Sequence, residues 1–63
     1  MDKVASNMQT YIIEISEKRL DKKLSLEIIE KIKKHGGYIG LEMIIDTVNS
    51  IEIEKLELYL NDL

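Results

Sequence analysis

The stretch "SIEIEKLELYL", Ser50 to Leu60, decides the fold class of this 63-residue chain. Apolar and polar residues alternate along it as in a half-buried strand, yet Ile53, Leu56, Leu60 and Leu63 also fall at the 3-4-3 spacing that lines one side of an α-helix. Two features select the helix. Asn49 and Glu52 have the spacing of a capping box, and Ser50 is an alternative direct cap. The stretch also echoes "SLEIIEKI", Ser25 to Ile32, with its serine, glutamates and apolar positions in nearly the same order. A helix to about Asp62 is therefore predicted, with Tyr59 widening its apolar face.

Upstream, Leu41, Ile44, Ile45 and Val48 recur at i, i+3, i+4 and i+7 and predict a helix from about Ile39 to Val48. Before it stands "KKHGGYIG", Lys33 to Gly40, which holds all three glycines and the single histidine. Gly36 or Gly37 suits the left-handed position that ends a helix. The helix so ended starts after Ser25, an N-cap residue, and carries Ile28, Ile29 and Ile32 on one face. Its acids Glu27 and Glu30 come early and Lys31, Lys33, Lys34 and His35 come late, the order the helix dipole favours. Val4, Met8, Tyr11 and Ile15, flanked by Ala5 and Ile12, predict a first helix from about Lys3 to Leu20. The connections are short and lack proline, so residues 1–63 form one domain: a compact all-α bundle of three to four short helices, within which 25–62 can form a helix-turn-helix-like tri-helical arrangement.

A chain this short buries little. The scaling of surface with mass gives about 6,400 Å² removed from water, of which about 3,800 Å² is apolar. At ~25 cal/mol/Å² this supplies on the order of 95 kcal/mol, matched by ~1.5 kcal/mol of entropy lost at each residue. Cysteine is absent, so no disulfide or thiolate metal site adds to the core. Self-association, as a dimer, is the expected supplement. No segment has the ~20 apolar residues of a membrane span, and "MDKVASNMQT" lacks the features of a secretory signal. A cytoplasmic protein is expected. The eleven isoleucines, the many Lys and Glu and the absence of Pro, Trp and Phe suit an AT-rich genome or a phage or plasmid element.

The net charge of −3 is unevenly spread. Residues 18–35 hold seven bases, Lys18, Arg19, Lys22, Lys23, Lys31, Lys33 and Lys34, against three acids, a local +4. Residues 36–63 hold six acids, Glu42, Asp46, Glu52, Glu54, Glu57 and Asp62, against Lys55, a local −5. Opposite faces of this kind can dock a charged partner or attract each other between copies.

Three resemblances bear on the glycine corner. "GYIG" resembles the GxxG loop of KH domains, which clamp nucleotide backbones, although Tyr38 and Ile39 replace the usual basic residues. "YIGLEMII" is similar to the hairpin of helix-hairpin-helix modules, with Tyr38 at the position of the first hairpin glycine. The segment from Ile28 to Leu60, which begins "IIEKIKKHGGYIGLEMIIDTVNS", resembles the tri-helical helix-turn-helix of Fis-like regulators, with "DTVNS" in place of a glycine-containing turn. That resemblance implies that the last helix enters a DNA groove. Glu52, Glu54, Glu57 and Asp62 would then face phosphates, which proteins neutralise with Lys and Arg.

No catalytic residue, cofactor or metal is expected. His35 has no motif partner, and the glycines lack the Gly-Lys-Ser/Thr ending of a phosphate loop. The expected function is a small non-enzymatic regulator that binds another protein, one with a basic surface, in the style of a phage or plasmid accessory factor, inhibitor, antirepressor or antitoxin. Tyr38, Glu52, Glu54, Glu57 and Tyr59 are its candidate contact residues. One alternative is a helix-turn-helix-like DNA binder using Lys18, Arg19, Lys22, Lys23, Lys31, Lys33 and Lys34. The other is a helical oligomer holding a small anion near those lysines and the Gly36 to Gly40 amides.

Overall fold

The computed structural model describes residues 2–63, in which four helices and no strand are found: α1 (Lys3–Leu20), α2 (Leu26–Lys33), α3 (Tyr38–Ser50) and α4 (Ile53–Asn61). The chain is an all-α bundle. Asp2 opens α1 by accepting a hydrogen bond from the Val4 amide at 2.9 Å, and Ser25 opens α2 through the Ile28 amide at 3.2 Å. The only described non-glycine residue with positive φ, Asp21 at φ 55° and ψ 40°, closes α1 while the Lys22 amide reaches back to the Glu17 carbonyl at 3.2 Å. A short polar side chain tolerates that left-handed position.

The ambiguous stretch is helical, but its caps differ from expectation. Asn49 and Ser50 belong to α3, where their side chains bond back to the Ile45 and Asp46 carbonyls at 3.0 and 2.7 Å instead of capping the next helix. The turn consists of Ile51 (φ −67°, ψ 149°) and Glu52 (φ −62°, ψ 142°). Both residues are extended with negative φ, so the turn needs no glycine and accommodates a β-branched side chain.

The glycine corner also departs from the expected left-handed cap. No glycine has positive φ; α2 ends on Lys34 in the right-handed region, and Gly37 is the extended N-cap of α3.

Helix α1 is the hub. Helix α3 lies most extensively along it, α2 and α4 also pack on it, and the three shorter helices approach one another's backbones only marginally. The core comprises Ala5 and Ile12 of α1, Leu24 of the connection, Ile28 and Ile32 of α2, Leu41, Ile44 and Val48 of α3, and Leu56 and Leu60 of α4. The buried line on α1 is rotated from the predicted stripe. Ala5, Ile12 and Ser16 are inside, Met8 and Ile15 sit at the margin, and Val4 and Tyr11 are exposed. Three helices share one side of α1, and the arc they cover leaves one edge of its broad apolar surface outside. The accessible area, 4408 Å², is close to the ~4,200 Å² expected of a compact monomer of this mass.

Candidate functional site

Four of the seven bases in the basic segment make contacts within the fold, and two of these, Lys22 and Lys23, keep side chains that are 53% and 93% exposed. The last carbonyls of a helix lack intrahelical partners, and here each of the three short helices is closed by a side chain from another helix. Gln9 Nε2 of α1 donates to the Lys33 and His35 carbonyls at 3.3 and 2.6 Å, ending α2. Arg19 donates to the Val48 carbonyl at 2.9 Å near the end of α3. Lys31 Nζ of α2 donates to the Asn61 carbonyl at the end of α4. A cation at a helix C-terminus also meets the negative end of the dipole. Lys22 pairs with Glu57 of α4 at 2.8 Å, and Lys23 approaches Glu17, whose carboxylate accepts the Leu24 amide at 3.0 Å. Of the seven bases, Lys18, Lys33 and Lys34 are unpaired among the described residues.

A shallow, open depression at the end of α1 is lined by Glu17, Lys18, Asp21, Lys22 and Lys23. Three bases and two acids line it. Among the described residues no group of three or more His, Cys, Asp or Glu could hold a metal ion, and no helix is long and apolar enough to cross a membrane.

The candidate protein-contact residues do not converge. The Tyr38 hydroxyl donates to the Asp2 carboxylate at the start of α1, whereas Glu57 meets Lys22 just beyond the end of that helix. Eighteen helical residues, about 27 Å, separate the two places. The Tyr38 bond, with the Val4 amide, holds the Asp2 carboxyl below its ordinary value, and the same bond raises the Tyr38 phenol above its own. Glu52, the residue before α4, pairs with Lys55 of that helix at 3.1 Å, and Tyr59 is half-buried against the core. Glu54 alone of the three glutamates is exposed and unpaired among the described residues.

Two outward helix faces stand out instead. On α3, Ile39 and Met43 are 78% and 65% exposed, one turn apart and opposite the buried Leu41, Ile44 and Val48. Glu42 and Asp46 flank them with no ion-pair partner among the described residues. On α4, Leu58 is 69% exposed between Glu54 and Asp62, which share its face at i−4 and i+4. Sequence reasoning missed Ile39, Met43 and Leu58, although each falls outside the apolar stripe of its own helix, and that misfit is the signal that finds them. Comparison with family models, with curated proteins and with solved structures finds no match for this chain.

Proposed function

We propose that this chain is a non-enzymatic regulatory module that self-associates through α3 and presents the acidic outer face of α4 to a basic protein partner. One observation carries the reading: Ile39, Met43 and Leu58 stand out into solvent beside unpaired carboxylates, while Arg19, Lys22 and Lys31 are turned onto the protein's own helices. On α4, an exposed apolar side chain beside carboxylates of one sign suits a protein surface of opposite sign, with the apolar anchor supplying affinity and the charges supplying orientation. In the helix-turn-helix order of α3 and α4, the outer face of α4 carries Glu54, Leu58 and Asp62, whose carboxylates repel a phosphate backbone.

Nuclear magnetic resonance titration with a cationic amphipathic Lys/Leu helical peptide as the probe tests the partner face. Shifts centred on Glu54, Leu58 and Asp62, lost in a Glu54→Lys/Asp62→Lys variant, are expected. A parallel titration with duplex DNA that yields tighter, steeply salt-dependent binding at Lys18, Lys33 and Lys34 would replace this reading with nucleic-acid binding.

A further inference from the structure

Three carboxylates lie on or beside the outer face of α4. Glu54 and Asp62 have no cation partner among the described residues, whereas Glu57 is held by Lys22 at 2.8 Å. Glu57 is one turn from Glu54 and directly precedes Leu58, so it borders that face. Lys22 belongs to the connection between α1 and α2. The left-handed Asp21 and the bond from the Lys22 amide to the Glu17 carbonyl at 3.2 Å fix the backbone from which it reaches α4. Both side chains of the pair stay about half exposed, at 53% and 47%. Lys31 reaches the same helix in a different way: half-buried, it supplies a donor to the Asn61 carbonyl, one of the helix-end carbonyls that lack intrahelical partners. Lys22 satisfies no such group. An ion pair as exposed as this one adds little to stability, yet it lays a lysine of the chain itself on the flank of the acidic face.

We infer that Lys22 is an internal competitor for the partner: it occupies Glu57 in the free chain and yields when a lysine of the partner arrives, so that Glu54, Glu57 and Asp62 then hold the partner together. This rests on the reading of α4 as the partner face and adds to it one further contact residue and a restraint on its affinity. The exposed Leu58 anchors the partner, and docking there raises the local concentration of the partner's lysine beside Glu57. The exchange replaces one exposed ion pair by another and releases Lys22 to solvent beside the exposed Lys23, which keeps its cost small. The partner chemistry this fits is a helix with lysines a turn to either side of an apolar residue, matching Glu54, Leu58 and Asp62 at i−4, i and i+4. Lys22 therefore lowers affinity without closing the face.

Lys22→Gln and Lys23→Gln change the net charge equally, but only the first frees Glu57, because Lys23 approaches Glu17 instead. Both side chains are exposed, so the helical signal of each variant should match wild type. In titrations with the cationic Lys/Leu helical peptide at one ionic strength, Lys22→Gln should bind roughly two- to fivefold more tightly than Lys23→Gln, the range an exposed ion pair commands. Adding Glu57→Gln to Lys22→Gln should cancel that gain. Equal affinities for the two lysine variants, with shifts still centred on Glu54, Leu58 and Asp62, would overturn the competitor and leave the partner face standing. A gain that survives Glu57→Gln would also overturn it, by tracing the effect to net charge. Peptide shifts absent from α4 in wild type and in both variants would remove the competitor and the partner face together.

Discussion

Replacing Ser16 by alanine should stabilise the protein. Ser16 is fully buried on the core side of α1, one turn beyond Ile12, and its hydroxyl has no hydrogen-bond partner among the described residues. A buried hydroxyl without a partner costs about 1–3 kcal/mol of desolvation, and alanine is the better helix former by up to about 0.5 kcal/mol. Against these gains, removing one oxygen leaves a void smaller than a methyl group, with a cost below ~1 kcal/mol. The net expectation is about 1–2 kcal/mol of added stability. With an unfolding entropy of ~2.1 cal/mol/K per residue, each kcal/mol moves the midpoint by roughly 7 °C, so the rise in Tm is about 7–15 °C. Thermal melts followed by far-UV circular dichroism read this directly, provided wild type and variant are compared at one concentration, because association raises Tm with concentration. A Ser16→Ala protein that melts lower than wild type would show that the hydroxyl is bonded in solution and that the core around α1 is not dry.

Three further perturbations test the scaffold. Arg19→Met removes the charge-assisted bond to the Val48 carbonyl but keeps much of the apolar stem, and should cost about 1.5–2 kcal/mol in urea unfolding; an unchanged midpoint would mean that α3 does not depend on this clamp. Asp21→Gly relieves a left-handed residue at φ 55° and should add about 0.5–1 kcal/mol, whereas a loss would place Asp21 outside that conformation in solution. The Asp2–Tyr38 bond joins an ionised carboxylate to a protonated phenol, so its contribution is present above the ordinary carboxyl value of 3.8 and is lost as pH falls through the depressed value of Asp2. At the other end it is present below the ordinary phenol value of 10.0 and is lost as pH rises through the raised value of Tyr38. In a Tyr11→Phe/Tyr59→Phe background, phenolate absorbance should appear at lower pH once Asp2→Asn is added, and coincident titrations would show that the bond does not form.

What a linear sequence reveals here is what local chemistry decides. Ser25 caps α2 because its hydroxyl reaches an amide three residues on, and the apolar spacing of Leu56 and Leu60 outweighs the alternation of "IEIE" because α4 has a core on one side. The errors occur where distant contacts intervene. The end of α2 looks like a glycine cap from its own residues, but its carbonyls are closed by Gln9, more than twenty positions away. Asn49 and Ser50 have the chemistry of caps but close the last turn of α3, because the N-cap of α4, Glu52, falls two to three residues later than their pattern suggests. Charge is only partly legible for a related reason. Of the seven bases in eighteen residues, Arg19 and Lys31 reach carbonyls and Lys22 a carboxylate on another helix, and no local signal marks a cation destined for such a distant acceptor. The candidate contact residues Tyr38 and Glu57 lie at opposite ends of α1. Exposed apolar residues outside the core stripe, Ile39, Met43 and Leu58, are the more useful guide to a binding surface.

The buried core lies within one chain, and the proposed self-association is therefore expected to leave the helices unchanged. The most direct test is the mass in solution by light scattering across a dilution series, with far-UV circular dichroism on the same samples. The mass should fall from two copies to one on dilution while the helical signal stays unchanged. Loss of helix together with mass would show instead that the core is shared between chains, and a single-copy mass at every concentration would contradict the self-associating module itself.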